Sequence, residues 1–422
     1  VGGGTMKIAI IGGGSAYAPG LVQAFAQEAD AFDGAELALM DVAEEELDVV
    51  ARLAERLVEG TGLRVSATTE RVRAIDGADV VLTTFRQGGL AARHHDEAVP
   101  LRFGVLGQET IGPGGFFFAM RTLPVVRRIT EEMTSWAPGA TLLNYANPTQ
   151  IVAEAVTRRS SVRCIALCDQ ADDDRVHLAH ALGVDPHVIE LEAVGLNHAT
   201  WSTHCRIEGE DGVARLNREH DRIQARADVS PRTRRQVALT RRYGRVPNGY
   251  LPYYLHRDAT VEEARSAPRT RAQAIVEELP GHYAHFREQA AAARPQLTRG
   301  RGGSVFGDFA VRVLRALATG EAARLTLNVP NRGGALPDFD DERVVEVPCS
   351  VEGGRVVPLR QEPFPHELRG LLRMLADYQA AAADAIWSGD RSAQVRALAS
   401  NPLVMEPERA EALLTARAAA GA

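Results

Sequence analysis

The chain reads as an α/β protein, with an N-terminal doubly wound parallel sheet followed by a C-terminal α+β unit. Three observations predict this. First, five short apolar runs, Ile8–Ile11, Leu37–Met40, Val80–Phe85, Thr141–Leu143 and Cys164–Leu167, alternate with helix-like stretches such as Leu21–Glu28, Ala43–Glu59 and Leu123–Trp136. Second, the first run enters Gly12, Gly13 and Gly14, followed by Ser15, and the second run ends in Asp41. Glycines there let backbone N–H groups approach a pyrophosphate at a helix N-terminus, and the acid can accept from the adenosine ribose, so the unit reads as Rossmann-like. Tyr17 stands where the third glycine of that fingerprint is expected. Third, the alternation stops near residue 196, which sets the expected domains at 6–195 and 196–422.

The second domain is read element by element. Glu208–Gly212 is a turn between short strands, and Asn217–Arg242 is charged and helix-prone. The Pro/Tyr-rich Val246–Leu255 precedes a helical pattern over Val261–Ala293, broken at its prolines. Gly302–Thr319 reads as a buried helix, Leu325–Val329 and Val344–Val347 as strands, and Glu367–Ser388 and Arg391–Leu398 as closing helices.

Composition narrows the function. The 422 residues suffice for two domains with sizeable cores, and 45% hydrophobic with 24% charged residues is ordinary for a globular protein. A net charge of −7 and 5% aromatics argue against a nucleic-acid surface. Four cysteines are too few for a disulfide framework, and no leader-like segment precedes the first strand. The expected compartment is the cytoplasm. No apolar stretch is long enough for a membrane span.

The polar motifs follow the predicted strands. Arg86 and Arg93 flank Gly88-Gly89 after the third apolar run, and arginine forks there suit phosphate or carboxylate groups. His94–Glu97 is read as a solvated charged face. The loop Gly107–Phe116 sets Gln108 and Glu109 among glycines, which fits either a ligand loop or a tight turn. Asn147-Pro148 fits a turn, a sugar-hydroxyl site, or both. Cys168 and His198 fit a transition-metal pair with open positions for substrate oxygens, although a lone buried cysteine is more often inert packing and a lone histidine more often a core residue. His204 and Cys205, adjacent on a strand, face opposite sides and read as structural. Tyr250, Tyr253 and Tyr254 offer a phenolic base if a metal or cation lowers its pKa, or simple packing.

Together these pieces resemble glycoside hydrolase family 4, whose members depend on NAD. The matching stretches are Gly12–Pro19, Arg86–Arg93, Gly107–Gly115, Asn147-Pro148, Cys168, Gly195–His198, Tyr250–Tyr254 and Asn328–Gly333. The resemblance accounts for Tyr17, since the family's loop carries Ser-x-Tyr-x-Pro. It implies the two-domain plan of lactate and malate dehydrogenases and a glycosidase working by oxidation, elimination, addition and reduction, with hydride leaving C3 and a proton leaving C2.

It also implies residue roles. NAD lies at Gly12–Ser15 with Asp41 and Arg86, Mn²⁺ or another divalent ion on Cys168 and His198, and Tyr250 is the base. Arg93, Glu109, Asn147, Asn197 and Arg301 bind the sugar and its C6 anion. A 6-phospho-glucoside is the implied substrate, β ahead of α, with a homodimer or homotetramer as the assembly. Asp169 is the implied general acid. It departs from the Asn usual in the β branch and points towards α. Asp172-Asp173-Asp174 is read as the acidic first turn of a helix ahead of Arg175.

Overall fold

A computed structural model of the protein describes residues 5–298 and 303–420. Among these, six parallel strands open the chain: β1 (Lys7–Ile11), β2 (Glu36–Met40), β3 (Arg64–Thr68), β4 (Val80–Thr83), β5 (Thr141–Asn144) and β6 (Arg163–Ala166). Their spatial order, β3-β2-β1-β4-β5-β6, is the doubly wound dinucleotide order, with a crevice where the winding reverses between β1 and β4. Five of the six follow the apolar runs. β3 does not, because it is the edge strand and none of its residues is buried, so it carries no apolar run.

The remaining strands are β7 (Ile189–Leu196), β8 (Ala199–Ile207), β9 (Glu210–Asp211), β10 (Ala323–Pro330), β11 (Val344–Glu352) and β12 (Arg355–Pro358). They extend the same sheet antiparallel, in the order β6-β10-β11-β7-β8-β9, with β12 on β11. One mixed sheet therefore runs through both halves of the chain, and the β7–β8 hairpin straddles residue 196. Val261–Ala293 resolves into helices Arg257–Ser266 and Arg271–Ala291, the second keeping Pro280 inside it.

Burial on both faces explains why the parallel strands read as continuous apolar runs rather than alternating ones. Ile8, Ile10, Leu37, Leu39 and Leu82 enter one core cluster, and Ala9, Ile11, Ala38, Met40 and Val81 enter the other. Helix Ala18–Gln27 covers the first face and helix Gly112–Trp136 the second, while helix His366–Ser388 contributes to both clusters. The C-terminal half thus packs intimately against the N-terminal sheet. Among the described residues no helix is long and apolar enough to cross a membrane, and all four cysteines are free.

Candidate active site

A cavity of about 350 Å³ lies beyond the C-terminal ends of β1, β4, β5 and β6, where open α/β sheets place ligands. The glycine loop forms one wall. Gly12 has φ 101°, and a Cβ there would sit 2.7 Å from Phe85 N. At Gly13 a Cβ would sit 2.8 Å from Met40 N, so both residues are glycine because strand backbone passes directly against them. Gly14 N–H donates to Asp41 Oδ2 at 3.0 Å, and Ala43 N–H to Oδ1 at 3.2 Å, which pins the acid beside the loop. Ser15 Oγ is buried without a hydrogen-bond partner among the described residues and lines the cavity. Tyr283, on helix Arg271–Ala291, donates to Gly14 O at 2.8 Å and roofs the same wall.

Cys168 follows β6, and His198 sits in the two-residue turn between β7 and β8. The hairpin swings the imidazole over the end of β6, and Cys168 Sγ lies 3.5 Å from His198 Nε2. His198 has φ 62°, a conformation side chains rarely adopt, and Gly195 at φ 146° lets Ala199 O approach, which explains Gly195–His198 as a unit.

Thr110 decides the tautomer. Gln108 Oε1 accepts from Thr110 N at 2.6 Å and Ile111 N at 3.0 Å, so it is the oxygen, and the Thr110 hydroxyl donates to it at 2.9 Å. Having spent its proton, Thr110 Oγ1 can only accept from His198 Nδ1, 3.1 Å away. Nε2 then keeps a free lone pair towards Cys168. Burial pushes the His198 pKa down to about 4, leaving a neutral imidazole at pH 7. Burial, helped by the Glu346 and Asp169 carboxylates, pushes the Cys168 thiol well up, so a thiolate there calls for a cation beside it. A thiol and an unprotonated imidazole nitrogen lining one cavity fit a divalent transition metal. Among the described residues no group of three or more His, Cys, Asp or Glu could hold one, so the chain offers two donors and leaves the other positions open.

Of the three tyrosines, Tyr250 lines this cavity, its ring stacked on His198 with centroids 3.9 Å apart. Tyr253 faces a neighbouring cavity of about 290 Å³, and Tyr254 packs among apolar residues. Burial and the Glu109 carboxylate raise the Tyr250 phenol, and the Arg232 guanidinium opposes them, so the chain alone does not make this phenol acidic. Arg232 carried no sequence signal. Asp169 also lines the cavity, and burial with the neighbouring Asp173 and Asp172 pushes its carboxyl up to about 6.

The acidic run divides its work. Asp172 pairs with Arg175 at 2.9 Å and Asp173 with Arg232 at 2.7 Å. Asp174 is buried and accepts Gly249 N–H at 3.0 Å, anchoring the turn before Tyr250, so it is a tether and not part of a solvated helix start.

Several predicted residues lie elsewhere than expected. Asp96 and Glu97 are buried, paired with Arg121 and Arg93, so His94–Glu97 is not a solvated face. Arg93 is buried between Glu97 (2.7 Å) and Glu109 (2.9 Å) and lines the neighbouring cavity, reaching the site only through Glu109. Arg86 also pairs with Glu109, lies over the Phe118 ring at 4.5 Å and lines the main cavity. Asn147 both lines the cavity and accepts Thr149 N–H in a turn. Asn197 is buried, its side chain donates to Glu346 Oε2 at 3.1 Å, and it is not among the residues that line this cavity. Arg301 lies outside the described residues. His204 pairs with Glu190 at 3.1 Å on β8, as a structural residue would.

A dinucleotide-type sheet, a glycine loop and a thiol–imidazole pair in one cleft define the class: a two-unit enzyme built around a nucleotide crevice. The chain belongs to glycoside hydrolase family 4. Residues 7–184 match the family 4 glycosyl hydrolase model and residues 193–404 its C-terminal domain model. An Escherichia coli 6-phospho-beta-glucosidase is 29% identical over 97% of this chain and 93% of its own. A Bacillus subtilis maltose-6′-phosphate glucosidase is 30% identical over 87% and 85%. A Thermotoga maritima 6-phospho-beta glucosidase solved with manganese, NAD⁺ and glucose-6-phosphate superposes with a TM-score of 0.85 over 98% of both chains at 26% identity. A malate dehydrogenase from Cryptosporidium parvum shares the fold alone, at 12% identity and a TM-score of 0.55 over 91% of this chain and all of its own.

Proposed function

We propose that this chain hydrolyses 6-phospho-glucosides, β ahead of α, using NAD⁺ and a divalent metal such as Mn²⁺. The observation that carries the reading is that Ser15, Cys168, Asp169, His198 and Tyr250 line one cavity. The Escherichia coli and Thermotoga maritima relatives support the phosphoglycoside and the cofactor pair. When bound, the nicotinamide supplies a hydride acceptor and donor at C3, and the metal supplies a Lewis acid for neighbouring sugar oxygens.

The chain's residues do the rest. Gly12–Ser15, Asp41 and Arg86 receive the dinucleotide. Cys168 and His198 hold the metal, and Thr110 keeps Nε2 unprotonated for it. Tyr250 Oη accepts the C2 proton, with Arg232 and the bound cation offsetting the burial that raises the phenol. Asp169 gives its proton to the departing glycosidic oxygen. Asn147 and Glu109 orient the sugar, and Arg301 receives the C6 anion. Arg93 acts behind Glu109. Residues 6–195 form the nucleotide unit and 196–422 the unit that completes the site and the oligomer, a homodimer or homotetramer. The enzyme works in the cytoplasm, in keeping with its free thiols.

The test is release of nitrophenol from α- and β-6-phosphoglucosides and their unphosphorylated counterparts, with NAD⁺ and Mn²⁺, for wild type and Cys168→Ser. Phosphorylated substrates in D₂O should gain deuterium at C2, and the variant should be inactive. Stoichiometric NADH without nitrophenol would instead mark a dehydrogenase and refute the reading.

A further inference from the structure

A buried polar chain lies behind the Cys168–His198 pair. Glu346 sits on β11, opposite Gly195 of β7 and Asn328 of β10, and is 1% exposed. Its Oε2 accepts from Asn197 Nδ2 at 3.1 Å, and Asn197 N–H donates to Gln150 Oε1 at 3.1 Å. Gln150 is held in turn by its own donation to Val344 O at 2.6 Å. The Asn197 backbone and one of its side-chain N–H bonds are therefore committed. Asn328, in register beside Glu346, is 1% exposed, and neither amide atom has a hydrogen-bond partner among the described residues.

A fully buried carboxyl is costly to keep unless it has work to do. A leucine would fill this core position, yet the strand carries Glu346 where it meets the turn bearing Asn197 and His198. We propose that Glu346 is a positioning residue: by accepting one Asn197 side-chain N–H it fixes the β7–β8 turn, so that His198, the next residue, is held with Nε2 towards Cys168. The inference rests on the reading that Cys168 and His198 hold a metal. Partners of this kind around ligands are worth about 10–100-fold in metal affinity.

The test is Co²⁺ titration of the chelator-treated full chain, following the thiolate-to-cobalt charge-transfer band, with circular dichroism as the check on folding. Glu346→Leu should weaken Co²⁺ binding by about 10–100-fold and shift the band, because the turn that carries His198 loses its anchor. Glu346→Gln keeps an oxygen acceptor for Asn197 and should bind close to wild type. Should Glu346→Leu fail to fold, Asn197→Ala carries the test and should show the same loss and band shift. Unchanged affinity and band in Asn197→Ala, or Glu346→Gln as weak as Glu346→Leu, overturns the positioning role. Absence of the charge-transfer band in wild type itself, matching Cys168→Ser, would sink the metal reading, a different failure.

Discussion

Thr110→Val removes one oxygen from the site and almost no volume. In the native structure the Thr110 hydroxyl proton goes to Gln108 Oε1, and its lone pair receives His198 Nδ1–H at 3.1 Å. Valine strands that N–H, with His198 only 7% exposed. A buried donor without a partner costs about 1–3 kcal/mol, and the ring recovers part of it by moving the proton to Nε2 or by turning. Either response takes the lone pair away from Cys168. Losing the hydrogen-bond partner of a metal-bound histidine costs about 10–100-fold in affinity, or about 1.4–2.7 kcal/mol, which agrees with the cost of the lost acceptor. The imidazole is neutral near pH 7 because burial lowers its pKa to about 4, so the tautomer and not the charge is what valine changes. Mn²⁺ binding, read from the signal of free Mn²⁺ in electron paramagnetic resonance, should weaken by about 10–100-fold in Thr110→Val. Thr110→Ser should stay near wild type. A folded Thr110→Val that binds Mn²⁺ as tightly as wild type, or a serine variant as weak as the valine one, refutes the tautomer argument.

Three further outcomes follow from other parts of the structure. Glu154 is fully buried and accepts Val344 N–H at 2.8 Å, and burial raises its carboxyl from 4.5 to about 7. Because the folded pKa is the higher one, its contribution is complete below about pH 4.5 and is lost as pH rises through about 7, on the order of 3 kcal/mol. Denaturant melts from pH 4.5 to 8 should show this loss in wild type and a flatter profile in Glu154→Gln. Gly13→Ala drives a Cβ to within 2.8 Å of Met40 N and 2.9 Å of Leu39 Cα, so the loop must shift. Calorimetry should show a loss of about 1–3 kcal/mol, and fluorescence titration should show weaker NAD⁺ binding. Asp174→Ala leaves Gly249 N–H buried and unpaired beside Tyr250, at about 1–3 kcal/mol. Its kcat should fall with Mn²⁺ affinity retained, since Cys168 and His198 are untouched.

Much of the molecule was legible along the chain. Five of the six parallel strands were visible because each is buried on both faces and so is written as an unbroken apolar run. β3 was not, because an exposed edge strand needs no such run. The glycine loop and Asp41 were legible together, and Gly14 N–H to Asp41 Oδ2 is the contact that joins them. The charged stretch around Asp96 and Glu97 was misread as solvated. Arg93 pairs with Glu97 within the same helix, but Arg121 reaches Asp96 from the next helix, and a pair across helices leaves no mark in local composition.

The amino-acid sequence by itself determined the fold class and the family and singled out Cys168 and His198, because these rest on local patterns and unusual residue types at set places. Tertiary structure decided what the sequence left open. Although β10 and β11 lie between β6 and β7 in the sheet, the β7–β8 turn sets His198 Nε2 3.5 Å from Cys168 Sγ, and Tyr250, rather than Tyr253 or Tyr254, stacks on the imidazole. Tertiary structure also gave Thr110, Asp174, Arg232 and Glu346 their work. Each acts through a partner distant in the chain, and hydrogen bonds between distant residues exist only once the sheet has closed around them.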